Sequence, residues 1–138
     1  MFKRLVSIAV LLLLSSQMQA AQLQTQLEKS GWTKLTTYEQ MMTYLKPLVD
    51  SSSSVKMESI GTSVSGRSIP VLYFSKDKEF ASQRSTKPVV MIIAQHHGDE
   101  PSGKEAALIV TRRLLNEDSA LLNKLDLILV PQINPDGS

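Results

Sequence analysis

Two residues of metal-binding types, His97 and Glu100, lie three positions apart in the segment 96–101. Zinc binds imidazole nitrogen and carboxylate oxygen, and a catalytic zinc has three protein ligands and one open position. A His-x-x-Glu pair would supply two of the three ligands. By itself the pair is a common pattern, and a loop whose acids favour the start of a helix also accounts for it. Its place after a predicted buried strand, among glycines, favours the metal site.

Other polar residues near the pair are first given structural roles. Adjacent side chains at a strand end tend to point apart, so His96 is predicted to be packed or solvated rather than a ligand. Asp99 is predicted to be a solvated acid, with a metal contact as the alternative. Arg67 is assigned to a turn, with binding of a substrate carboxylate as the alternative. Asn134 and Asp136 most simply build a turn, with a role beside the site as the second interpretation.

Two apolar runs and the helix between them must position the pair. Residues 88–95 form a continuous apolar run, typical of a central strand covered on both faces. Residues 102–116 are predicted to be helical, with Ser102 as the cap and Glu105 completing a capping box. Residues 126–131 are predicted to form a second buried strand. This order predicts a parallel pair joined by a right-handed crossover, and ligands bind at the carboxyl ends of such strands.

The first half of the chain predicts a helix and a hairpin. Residues 37–49 repeat apolar side chains at helical spacing, with Thr36 or Thr37 as the cap. Residues 55–60 and 69–74 are predicted strands joined by a turn, hence antiparallel. The fold class is α/β, a mixed sheet in which an antiparallel hairpin leads into parallel strands with flanking helices. Residues 127–130 are expected to form its open edge, which invites aggregation.

The first twenty residues have the pattern of a secretory signal peptide, with Lys3 and Arg4, an apolar run and then small residues. The apolar run is too short to span a bilayer, which needs roughly 20 residues. Cleavage is expected after Ala20, and an uncleaved anchor or a buried helix is the alternative. Residues 21–36 are predicted to be a short leader. The protein is therefore expected to be exported, to the periplasm or the extracellular space, with no membrane contact after cleavage.

Composition restricts the kinds of partner and of metal site. The chain has 42% hydrophobic and 20% charged residues, which suits one globular domain. Its formal charge of +2 comes from Lys3 and Arg4, and no basic stripe interleaved with aromatic residues indicates nucleic-acid binding. The chain contains no cysteine, so a metal site would use His, Asp or Glu.

Three short stretches together resemble the N-terminal part of the zinc carboxypeptidase family. They are the turn and strand start at 61–69, the pair His97 and Glu100, and the loop Asn-Pro-Asp-Gly at 134–137. The resemblance implies that residues 37–138 are the N-terminal part of a zinc carboxypeptidase-like catalytic domain. It implies that His97 and Glu100 bind Zn²⁺ and that the enzyme hydrolyses peptide bonds of peptide or protein substrates.

The same resemblance implies groups that this sequence does not place. They are a second histidine ligand, a glutamate that acts as general base, and arginines that hold the substrate. No catalytic residue is therefore assigned within the chain, and the fragment is expected to be inactive alone. With Asp99 between the two ligands, the stretch 97–101 resembles that of bacterial members of the family, including those that trim cell-wall peptides. Peptidoglycan peptides are therefore a candidate substrate. The alternatives are an aspartoacylase-like zinc deacylase and a non-catalytic binding remnant of the fold.

Overall fold

The computed structural model describes residues 23–78, 80 and 86–137. The predicted signal peptide lies outside these residues. None of the helices in the described part is long and apolar enough to cross a membrane. In chain order the elements are α1 (Gln26–Lys29), α2 (Tyr38–Asp50), β1 (Val55–Thr62), β2 (Ser68–Phe74), β3 (Val89–Ile93), α3 (Ser102–Asn116), a short 3₁₀ helix (Ser119–Asn123) and β4 (Asp126–Val130).

The four described strands form one mixed sheet in the order β1-β2-β4-β3. Strand β2 pairs antiparallel with both β1 and β4, whereas β3 and β4 are parallel. The predicted α/β class, hairpin and parallel pair are therefore confirmed. A single apolar cluster joins α2 and α3 to the sheet; its fully buried members are Met41, Leu45, Leu48, Leu72, Leu108 and Leu129.

Within the described residues, β4 and not the predicted strand at 88–95 has the central position. Strand β4 lies between β2 and β3, and its side chains are largely buried. Strand β3 is the edge of the described sheet, and each of its side chains is between 39% and 58% exposed. A continuous apolar run indicates that the side chains of a strand favour burial, but it does not give the position of the strand in the sheet. Which strand lies beside it depends on hydrogen-bond pairing between distant segments, here Leu72 with Leu129.

Helix α2 begins as its sequence predicts. Thr37 is the N-cap: its hydroxyl accepts from the backbone N–H of Gln40, and the Gln40 side chain accepts from the N–H of Thr37. The predicted cap of α3 was wrong. Pro101 precedes that helix, no side chain caps it, and Ser102 is already helical. The Glu105 carboxylate instead accepts from the backbone N–H and hydroxyl of Thr36, at 2.6 and 2.8 Å.

The segment before α2 is attached to α3 along its length. The Arg112 guanidinium donates to both carboxylate oxygens of Glu28, each at 2.8 Å, and to the backbone oxygen of Leu23 at 2.6 Å. The Lys104 ammonium donates to the backbone oxygen of Thr36. The polar segment from Leu23 to Thr36, within the predicted leader, therefore packs on the helix that follows the predicted metal ligands.

Candidate metal site

The predicted pair lies on a β-turn just beyond the carboxyl end of β3. The backbone N–H of Glu100 donates to the backbone oxygen of His97 at 3.2 Å, which closes the turn over Gly98 and Asp99. The closed turn brings the His97 Nδ1 and the Glu100 Oε2 atoms to 3.2 Å from each other. Both side chains are open to solvent, at 68% and 69% exposure.

The donor atoms fit two corners of a zinc site. Ligand atoms about 2.1 Å from a tetrahedral zinc lie about 3.4 Å from each other, close to the 3.2 Å found here. Within the described residues, no group of three His, Cys, Asp or Glu side chains is placed to hold a metal ion. The arrangement therefore offers one nitrogen and one oxygen ligand, and a complete catalytic site needs a further one.

The segment after β4 supports the turn from below. The backbone N–H of Ile133 donates to the backbone oxygen of Ala94 at 3.1 Å. The backbone N–H of Asn134 donates to the backbone oxygen of Gln95 at 3.3 Å. The Asn134 side-chain amide donates to the backbone oxygen of His96, also at 3.3 Å. Asn134 thus builds its own loop and holds the strand exit that leads to His97.

Two glycines let these loops touch. A Cβ atom on Gly98 would lie 1.8 Å from the backbone oxygen of Gly137, a distance that only a hydrogen atom at that position can accommodate. A Cβ on Gly137 would lie 3.1 Å from the Gly98 Cα. The turn between the predicted ligands and the loop at 134–137 are therefore in backbone contact.

The hairpin turn between β1 and β2 attaches to the same loop. The Asp136 carboxylate accepts from the Ser63 hydroxyl at 2.8 Å and from the Ser65 N–H at 2.9 Å. These two donors and the nearby Arg67 charge hold the pKa of Asp136 below its ordinary value. Arg67 donates to the backbone oxygen of Pro135 at 2.7 Å, so it has a structural role in this turn. The three stretches singled out from the sequence thus form one connected group of loops.

The remaining candidates lie around this group. The rings of His96 and His97 pack edge to face with centroids 5.7 Å apart, so the prediction that these side chains point apart was wrong. The reason is Gln95, whose φ of 47° ends the extended conformation and its alternation before the histidines. Asp99 is exposed and, with Arg67 and Lys104, lines a cleft of about 520 Å³ beside the turn.

Sequence reasoning missed two buried glutamines under the turn. Gln95 and Gln132 are 4% and 0% exposed, and the Gln132 Nε2 donates to the Gln95 Oε1 at 2.8 Å. The signal for them is weak. Each stands at or just past the end of an apolar run, where a polar side chain ordinarily marks the return to solvent.

Comparison with known proteins gives a consistent result. The model of the zinc carboxypeptidase family matches residues 41–138. Carboxypeptidase E of Caenorhabditis elegans is 38% identical over 85 residues, covering 56% of this chain and 18% of that protein. Carboxypeptidase Z of Mus musculus is 32% identical over 109 residues, covering 73% of this chain and 16% of that protein.

A solved structure shows the same similarity. Carboxypeptidase A from Helicoverpa armigera is 34% identical with a TM-score of 0.67, over 75% of this chain and 25% of that one. The chain thus spans well under a third of the length of each of these three proteins.

Proposed function

The chain belongs to the zinc carboxypeptidase family, and on that premise we propose that it forms part of an exported zinc metallocarboxypeptidase. His97 and Glu100 are proposed as two of the zinc ligands. The observation that carries the proposal is the 3.2 Å separation of the His97 Nδ1 and the Glu100 Oε2 on an exposed, rigidly supported turn. Residues 1–20 are proposed to be the signal peptide, and residues 37–138 part of the catalytic domain.

The proposed chemistry is hydrolysis of the C-terminal peptide bond of a peptide or protein. A bound zinc ion polarises the scissile carbonyl and lowers the pKa of its water. His97 and Glu100 contribute by offering one neutral and one anionic donor on the same side of a turn. The backbone contact between Gly98 and Gly137 supports the turn that carries these donors, which favours a site whose backbone is preformed before the ion binds.

Peptides of the bacterial cell wall are proposed as one substrate class. The support is Asp99, which stands between the two ligands and is exposed beside the cleft. A third ligand, a general base and the arginines that hold substrate are proposed to come from segments other than the described residues.

The experiment uses the natural gene product that carries this segment. Zinc content is measured by elemental analysis, and hydrolysis is followed on peptides blocked at the amino end, before and after chelation and readdition of zinc. His97→Ala and Glu100→Gln are compared with His96→Ala as the matched control. The expected result is loss of tight zinc and of hydrolysis in the first two variants and retention of both in the control.

Two results would contradict the proposal. A His96→Ala variant that loses zinc while His97→Ala keeps it would show that the wrong histidine was assigned. A folded natural product that binds no zinc and hydrolyses no peptide would favour the non-catalytic remnant.

A further inference from the structure

We propose that Gln95 and Gln132 are positioning residues, a buried amide bridge that holds the turn from His97 to Glu100 in its ion-binding conformation. The inference rests on the proposed function, because it assumes that this turn binds zinc. It assigns a role to two side chains that are not proposed as ligands, since amides are poor zinc ligands beside imidazole and carboxylate. Of the two, Gln95 also lines the cleft beside the turn.

The bridge is a continuous run of hydrogen bonds from Gln132, just after β4, to the turn. The Gln132 Nε2 donates to the Gln95 Oε1 at 2.8 Å, and the Gln95 Nε2 donates to the backbone oxygen of Gly98 at 2.8 Å. Both side chains are buried. A buried amide that lost its partners would be costly, so the two glutamines hold each other in a single arrangement.

The backbone at Gln95 indicates that its side chain is required. Its φ of 47° lies in the left-handed region, where a residue with a long side chain is uncommon and glycine or asparagine is preferred. Unfavourable backbone conformations of this kind are found where a function depends on them. Only a side chain with both an acceptor and a donor, of the length of glutamine, makes the two bonds observed here.

The bridge acts on the centre of the turn. Gly98 lies between the two proposed ligands, so fixing its carbonyl fixes the peptide that sets their separation. The other bonds that hold the turn are longer: Glu100 N–H to His97 O is 3.2 Å, and Asn134 Nδ2 to His96 O is 3.3 Å. Since N–H···O bonds are most favourable near 2.9 Å, the 2.8 Å bond from Gln95 is the strongest constraint among the three.

The main test removes the bridge and preserves the packing. In the double variant Gln95→Met/Gln132→Met, both amides become apolar side chains of similar length, so neither glutamine is left facing an unpaired partner. Zinc is titrated into the natural gene product that carries this segment, and binding is followed by the NMR signals of the His97 imidazole. Zinc affinity is expected to fall about 10-fold, the lower end of what loss of ligand-orienting contacts costs. Gln40→Met, on the exposed first turn of α2, is the matched control and should bind zinc like the wild type.

A second variant separates the side chain from the backbone. Gln95→Gly relieves the left-handed conformation and deletes the bridge. Zinc affinity is expected to fall as in the double variant, with no fall in thermal stability beyond that of the double variant. Wild-type affinity in both variants would overturn the proposal. A rise in affinity in Gln95→Gly would also overturn it, because the backbone alone would then be limiting.

A measurement on the wild-type chain keeps the test independent of variant folding. The Gln95 side-chain N–H that faces Gly98 should exchange slowly with solvent, and free exchange would overturn the bridge. Failure of the proposed function has a different signature. If the wild type binds no zinc but hydrogen exchange at the Glu100 N–H accelerates in Gln95→Gly, the bridge positions the turn and the metal assignment is wrong.

Discussion

Replacing Gly98 by alanine should separate the two loops that carry the proposed ligands and their support. The new Cβ would lie 1.8, 2.1 and 2.4 Å from the oxygen, carbonyl carbon and Cα of Gly137. Non-bonded carbon contacts are favourable only at about 3.5–4.0 Å, so the backbones must move apart by more than about 1 Å. All three close atoms are backbone, and no side-chain rotation can relieve the clash.

The cost follows from the bonds that such a movement breaks. The Asn134 N–H to Gln95 O and Asn134 Nδ2 to His96 O bonds are already 3.3 Å long and cannot stretch further. Each net loss is about 1 kcal/mol, and overpacking adds about 1–3 kcal/mol. Gly98→Ala should therefore lower the free energy of unfolding by about 3–5 kcal/mol.

Urea denaturation of the natural gene product that carries this segment measures this free energy, and two glycine variants give it a scale. A Cβ on Gly61 meets no atom within 4 Å, so Gly61→Ala should change stability by less than about 0.5 kcal/mol. A Cβ on Gly137 meets the Gly98 Cα at 3.1 Å and the Asn134 Nδ2 at 2.9 Å, so Gly137→Ala should be intermediate. Equal stability of Gly98→Ala and Gly61→Ala would refute the close contact of the loops.

Three further predictions concern the rest of the molecule. Glu28→Gln leaves the partly buried Arg112 without its counter-charge and should cost about 2 kcal/mol in urea denaturation, whereas Lys46→Ala, in an exposed ion pair, should change stability little. The pKa of Glu28 is lowered chiefly by its hydrogen bond to Arg112, and the pKa of Asp136 by the Ser65 N–H. Both carboxyls bind protons less readily in the folded chain. Their contribution to stability is therefore complete above pH 4.5 and lost as pH falls through the folded pKa values, which acid titration of the unfolding free energy should show; a flat profile below pH 4.5 would contradict it. Met91→Lys places a charge on β3, the exposed edge strand of the described sheet, and should reduce self-association in sedimentation experiments. Unchanged self-association would show that another surface is responsible for it.

Local patterns predicted most of the elements and the close approach of His97 and Glu100. Thr37 and Gln40 carry the capping signal of α2 within four residues, and the His-x-x-Glu spacing already implies that His97 and Glu100 meet in a tight turn. The place of β3 in the sheet could not be read in this way, because the apolar run that suggested a covered strand is also compatible with an edge. Its neighbour is chosen by pairing between segments far apart in the chain.

Competition between local and distant partners explains the other misses. Glu105 has the spacing of a capping-box acid, yet it binds Thr36, which offers two donors from 69 residues away. In the sequence, Gln95 and Gln132 are polar residues at the ends of two apolar runs. Only the fold shows that their side-chain amides are hydrogen-bonded to each other. Side chains that support a site leave less signal in a sequence than the proposed ligands, since a polar residue at the end of an apolar run ordinarily marks a return to solvent.

The contact between the hairpin turn and the loop at 134–137 has a consequence for the order of folding. Ser63 and Asp136 are 73 residues apart, and the turn that bears His97 rests on the same loop. Forming contacts between residues so far apart in the chain reduces chain entropy before the contacts themselves stabilise the fold. We therefore expect a partly folded chain to contain α2, α3 and the hairpin while its ligand turn is still unformed. Metal capture would then report completed folding, and an ion added to a refolding chain should bind only in the last kinetic phase.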